Sequence, residues 1–200
     1  MRGQMLMWTA AAVMVGISVA PVARGQANQD RGKQSAAVKG AINDRLFVAA
    51  AAEGGMAEVA ASKLAIERAA SEEVKRFARQ MVDDHTRANQ ELMRLAGARQ
   101  IGVPQLLSFQ HQAESDILAG LSGEEFDRCY MKQQFAAHIC TVGLFEAEAE
   151  RGQDQDLKAF AAKQLPTLRE HLDMARRLAE PYLAKRPGTD RPGAETPKDD

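Results

Sequence analysis

Aromatic side chains make up only 5% of this 200-residue chain, and β-branched residues are scarce beside alanine. Such a chain has little with which to build a sheet, so its composition points to close-packed helices. Charge of one sign is also missing: 26 Lys and Arg stand against 27 Asp and Glu, a net charge of −1. Without a basic excess, nucleic acid is not an expected partner. No phosphate-binding loop, nucleophile elbow or Cys-x-x-Cys pair occurs, so those chemistries have no anchor in the sequence. Cysteine is limited to Cys129 and Cys140, eleven residues apart. On one helix that spacing separates them by ~16 Å along the axis, while a disulfide needs Cα atoms within ~7 Å. An internal bridge is therefore not expected; two partly buried thiols are the expectation and a bridge between chains is the alternative.

The longest uncharged apolar run, Met5 to Ala20, is short for a permanent span. Preceded by Arg2 and followed by the small residues Gly25 and Ala27, it reads as an export signal cut after Ala27, with Ala23 as the other site. A retained membrane anchor is the alternative. No cysteine lies near the cut, so a lipid anchor is not indicated. The expected organisation is a signal peptide over residues 1–27, a flexible linker over 28–42, a helical domain over 43–183 and a disordered tail over 184–200, rich in Pro, Gly and charge. The mature chain is expected in the periplasm or cell envelope without a transmembrane span.

What is present is helical periodicity. Four long patterns run from Asn43 to Ala70, from Ser71 to near Gly97, from Ser122 to near Gly152, and from Asp154 to about Pro181. Ser71 reads as an N-cap followed by Glu72 and Glu73, and Ser122 with Glu125 as a capping box. Pro104 introduces a shorter connecting helix over 105–119. The chain also repeats itself at a shift of 83 residues: SEEVKRFA at Ser71 matches DQDLKAFA at Asp154, and Phe47 pairs with Tyr130. Two copies of a helical hairpin packed into one four-helix bundle follow from that repeat. The connector between the hairpins could turn back at one end or cross the bundle lengthwise.

Heptad seams place the core on Val74, Ala78, Met81 and Leu92 of the second helix, on Met131, Phe135, Val142, Phe145 and Ala149 of the third, and on Leu157, Ala161 and Leu168 of the fourth. Three histidines fall on these seams, one per helix: His85, His138 and His171. Counted from the hairpin turns, their levels differ by only ~6 Å. Imidazole suits zinc, copper and iron, so the three rings could hold a transition metal, with Asp84, Glu58 or Glu170 as carboxylate partners and Glu53 near the same level. A satisfied polar network that fixes helix register is the competing reading. His111, in the connector, reads as a surface residue. Pro166 is expected to kink the fourth helix one turn before His171. Gly54 and Gly55 allow close approach or leave room for a ligand.

The stretch FVAAAAEGGMAEVAASKLAIERAASEEVKRFARQMVDDHTRANQEL, then GLSGEEFDRCYM, AAH and LKAFAAKQLPTLREHLDMARRL, closely resembles the domain of unknown function 4142 family. The Asp-His pair, the Phe-Asp-x-x-Tyr motif and the Leu-Pro-Thr-Leu-x-x-His motif appear in order across Asp44 to Leu178. Members are exported bacterial proteins, often labelled predicted outer membrane proteins and grouped with the ferritin-like superfamily. The resemblance implies a ferritin-like four-helix fold and Gram-negative export, and no established activity. True di-iron proteins of that fold use Glu-x-x-His pairs. Val82, Phe135 and Leu168 stand three residues before His85, His138 and His171, so di-iron oxidation is not implied.

Three functions stand at this point. One is a non-enzymatic envelope protein with a binding or stress-protective role. The alternative is a histidine-rich transition-metal-binding protein or metalloenzyme. A partner-binding role through the connector, with another envelope protein or a second copy of the chain, is a third.

Overall fold

The structure, a computed structural model, describes residues 42–183. The expected leader at 1–27, the linker as far as 41 and the tail at 184–200 lie outside the described residues. Five α-helices account for nearly all of what is described: α1 (Asp44–Arg68), α2 (Glu72–Ala98), α3 (Phe109–Ala119), α4 (Gly123–Arg151) and α5 (Gln155–Leu183). Among the described residues there is no strand, only an isolated bridge between Ala69 and Gly123. None of the described helices is long and apolar enough to cross a membrane.

Local chemistry sets where the helices begin. The Asn43 side chain accepts from the amides of Arg45 and Leu46, and the Ser71 hydroxyl from those of Glu73 and Val74. Asp154 Oδ1 accepts from Asp156 and Leu157, each at 3.0 Å. Such caps satisfy amides that a helix leaves orphaned at its N-terminus. The capping box expected at Ser122 does not form, and its side chain makes no cap hydrogen bond. Gly123 directly after it is left-handed at φ 64° and bridged to Ala69. The entry to α4 is thus set by backbone pairing, in a conformation that glycine reaches without a steric penalty. α5 runs unbroken through Pro166, which is exposed.

The most extensive packing lies within the hairpins, α1 on α2 and α4 on α5, and α1 also packs on α4 and α2 on α5. Two apolar clusters fill the interior. One gathers Phe47, Val48, Leu92, Phe145, Leu157 and Phe160; the other gathers Val74, Phe77, Met81, Phe126, Tyr130 and Ala175. α1 and α5 pass from the first cluster to the second, α2 and α4 from the second to the first. The connector therefore crosses the bundle lengthwise, and α3 rides on α1 and α4.

The 83-residue repeat is visible as a pair of reciprocal clasps. Asp127 of α4 accepts from the amides of Ala70 and Ser71 at 3.0 and 2.9 Å, in the α1–α2 turn. Its counterpart Asp44 of α1 accepts from Gln153 and Asp154, both at 2.9 Å, in the α4–α5 turn. Each hairpin thus satisfies the turn of the other. Asp127 is buried, so Asp127→Ala strands two amides and is expected to cost about 2–3 kcal/mol. The half-buried Asp44→Ala is expected to cost about 1–2 kcal/mol. Urea denaturation checks both; a cost for Asp127→Ala within that of a surface substitution would remove the clasp.

The repeat fails at several buried positions, Glu148 among them. Glu148 stands where the shift predicts the equivalent of Ala65, and it is fully buried with neither carboxylate oxygen hydrogen-bonded. Gly152 belongs to the same packing, since a Cβ there would lie 2.5 Å from Glu148 Oε1 and 2.7 Å from its carbonyl oxygen. Burial, helped by the Asp44 charge and opposed by Lys158, pushes the Glu148 carboxyl up to about 7. Between an unfolded value near 4.5 and 7 the native state therefore holds a proton that the unfolded chain has lost. This group's stabilisation is complete below the lower value and is lost as pH rises through the upper one. Glu148→Gln is expected to be more stable than wild type at pH 8 by about 3 kcal/mol, and level with it near pH 4. Urea midpoints of the two proteins across that range test it; parallel curves would show an ordinary carboxyl.

Candidate metal centre

Between the two apolar clusters each of the four long helices contributes a buried ionisable side chain: Glu58 on α1, His85 on α2, His138 on α4 and His171 on α5. Helical periodicity brings them together. Each histidine sits on the stripe that carries its helix's core residues, such as Met81 and Leu92 on either side of His85, so packing that stripe points the ring at the axis. The ring centroids form a near-equilateral triangle of 5.7, 5.4 and 5.6 Å. One nitrogen from each ring lies within 4.8 Å of the other two.

The two nitrogens of each ring have different fates. His171 Nε2 donates to Asp84 Oδ2 at 2.9 Å, and His138 Nδ1 donates to the Gln134 carbonyl at 2.9 Å. His85 Nδ1 lies 3.0 Å from Glu58 Oε2, and Glu58 Oε1 is 3.5 Å from His138 Nδ1. An acceptor on one nitrogen fixes the proton there and leaves a bare lone pair on the other. Those other nitrogens, His85 Nε2, His138 Nε2 and His171 Nδ1, are buried and have no partner.

Electrostatics favours the same protonation state. Burial lowers the His85 imidazole to about 4, against the opposing charge of Asp84. Burial also lowers His138, against Glu58, and lowers His171, with His85 adding to the effect and Asp84 opposing it. All three rings are neutral near pH 7. Burial raises the Glu58 carboxyl, and His138 draws it down. Three neutral imidazoles backed by carboxylates are a donor set for a transition dication. A tetrahedral ion with bonds of ~2.0–2.1 Å holds its ligand nitrogens ~3.4 Å apart, so the rings would draw in by about 1 Å.

The expected carboxylates take different places. Glu58 and Asp84 meet the outward nitrogens, the position of groups that orient ligands. Asp84 serves His171 on the neighbouring helix and not its sequence neighbour His85, because adjacent residues on a helix point ~100° apart. Glu170 is exposed and does not join the cluster. Glu53 turns to the connector, accepting from the Ser108 amide at 2.8 Å and from His111 Nδ1 at 2.7 Å. His111, expected at the surface, is instead a half-buried tie between α3 and α1. Cys129 and Cys140 are free. The Gln134 carbonyl carried no signal in the sequence, since every helical residue has one.

A cavity of about 40 Å³ lies among the four long helices beside this cluster, lined by His85, His171, Glu58, Asn89, Gly55 and Thr141 among others. A larger cavity, about 510 Å³, lies under α3 and reaches the other side of Glu58.

The family model described as "Domain of unknown function (DUF4142)" matches residues 9–178. No curated protein matches the chain. Among solved structures, one named as a secreted protein, DUF305, from Streptomyces coelicolor is similar, with a TM-score of 0.58 and 17% identity over 70% of this chain and 93% of that one. At that identity the likeness speaks for the helical fold alone.

Proposed function

The chain belongs to the DUF4142 family, and from that premise we propose that it is an exported, ferritin-like four-helix bundle that binds one transition-metal ion, of the zinc, copper or iron kind, through His85 Nε2, His138 Nε2 and His171 Nδ1. The observation that carries this reading is the meeting of three buried imidazoles, one nitrogen of each within 4.8 Å of the other two. A polar network built only for register would satisfy both sides of each ring, because an unmet buried acceptor costs about 1–3 kcal/mol. Here His138 Nδ1 and His171 Nε2 are hydrogen-bonded, His85 Nδ1 lies 3.0 Å from Glu58 Oε2, and the other nitrogen of each ring is unmet. Glu58 and Asp84 hold the rings in the tautomer a metal needs, and a bound dication favours their ionised forms. The order of the helices, with one long crossover between α2 and α4, supports the ferritin-like assignment. Export is supported by the leader pattern at residues 1–27 and by the name of the similar secreted protein.

The role is binding; with no Glu-x-x-His pair, the di-iron oxidase chemistry of related folds has no ligand set here. Elemental analysis of protein isolated from the periplasm without a nickel column tests the reading. About one ion per chain is expected, falling below about 0.2 in His171→Ala. A wild type as empty as the variant overturns it.

A further inference from the structure

The 83-residue shift pairs His138 with Gly55, His85 with Leu168 and His171 with Ala88. Gly55, Leu168 and Ala88 all line the cavity of about 40 Å³, as do the His85 and His171 rings themselves. Two of the imidazoles and all three of their counterparts thus share the walls of one cavity, and none of the counterparts is a metal ligand. Both nearby carboxylates are engaged with outward nitrogens, which leaves the donor set at three.

We propose that the metal's fourth position opens onto this cavity and takes a small exogenous donor, a water or hydroxide or a molecule or anion of two to three atoms, held by the Asn89 carboxamide. This inference rests on the metal reading above. Size sets the class: each water needs roughly 10–15 Å³ of such space, so the cavity suits a few heavy atoms and excludes larger substrates. Three protein ligands with an open position is the arrangement of exchangeable metal sites, whereas closed four-ligand sets serve structure. Asn89 lies one turn beyond His85 on α2, and its carboxamide is pressed against Gly55. A Cβ at Gly55 would fall 2.1 Å from Asn89 Oδ1, so glycine there is what lets the amide occupy the cavity wall.

Cobalt(II) loaded into the wild-type protein and titrated with azide tests this, with metal per chain measured in parallel. The expected result is one cobalt per chain and a change in its visible absorption bands on azide addition. Asn89→Leu and Gly55→Ala should retain the cobalt but weaken azide by about tenfold, the effect of losing one hydrogen bond. Bound cobalt whose bands ignore saturating azide would overturn the open position while leaving the metal site intact. Azide binding equally well in both variants would overturn the role of Asn89. Failure to bind cobalt in the wild type removes the metal reading and this inference together.

Discussion

Adding zinc to the metal-free protein is expected to raise its melting temperature by roughly 10 °C, and adding a chelator to reverse the gain. A ligand that binds only the native state at a thousandfold excess over its dissociation constant contributes about 4 kcal/mol, and each kcal/mol moves a domain of this size by about 2–4 °C. Three of the unmet buried acceptors are imidazole nitrogens, each a cost of about 1–3 kcal/mol, which an ion relieves together. The gain also depends on pH with a fixed sign. Burial lowers all three imidazoles, His85 to about 4. The folded rings therefore take up protons at lower pH than the ordinary histidine value of 6.5. Stabilisation from these neutral rings is present above that value and is lost as pH falls through the lowered ones. Calorimetry with and without zinc at pH 7 and pH 4 measures both effects. Zinc should raise the melting temperature more at the higher pH than at the lower. A melting temperature indifferent to zinc at pH 7, or raised equally in a protein lacking all three histidines, would contradict the site.

His85→Asp is expected to destabilise the protein by about 3–5 kcal/mol, whereas His138→Leu should change stability by less than about 1.5 kcal/mol. The two residues touch each other and both face Glu58, but His85 Nδ1 lies nearer to it, at 3.0 Å against 3.5 Å for His138 Nδ1. An aspartate at residue 85 brings a second carboxylate against a buried one, with Asp84 alongside, and nothing neutralises the pair. His138 offers Nδ1 to the Gln134 carbonyl, a helical oxygen that also accepts from the backbone, so a leucine orphans no acceptor there and removes the unmet Nε2. Urea denaturation separates the variants. His138→Leu should also lose the zinc response described above, so folding and binding are read independently. A His85→Asp protein as stable as wild type would mean that residue 85 does not face Glu58.

Much of the site follows from periodicity alone. A seam drawn through Met81 and Leu92 passes through His85, and the matching seams on α4 and α5 pass through His138 and His171, because side-chain direction on a helix is set by residue count. Detail was lost where that count drifts. The heptad seam on α4 runs through Phe135 and Ala149, but the residues buried there are Gln134 and Glu148. A straight helix of 3.6 residues per turn departs from a 3.5 repeat toward its ends. Glu58, one position off the α1 seam, reaches the cluster all the same. Glu170 does not, though it adjoins His171, since one residue along a helix turns the side chain to another face. The Asp44 and Asp127 clasps were implicit in the 83-residue repeat, but hydrogen bonds from backbone amides to a distant carboxylate leave no composition signal. Only the folded arrangement, with each hairpin's first residues beside the other's turn, makes their purpose visible.

The most direct measurement is the anomalous scattering of a zinc-soaked crystal, recorded above and below the metal's absorption edge. The account predicts a single peak on the bundle axis, about 2 Å from each of His85 Nε2, His138 Nε2 and His171 Nδ1. A well-ordered crystal with no peak there, or with zinc confined to outward carboxylates such as Glu170, would contradict it.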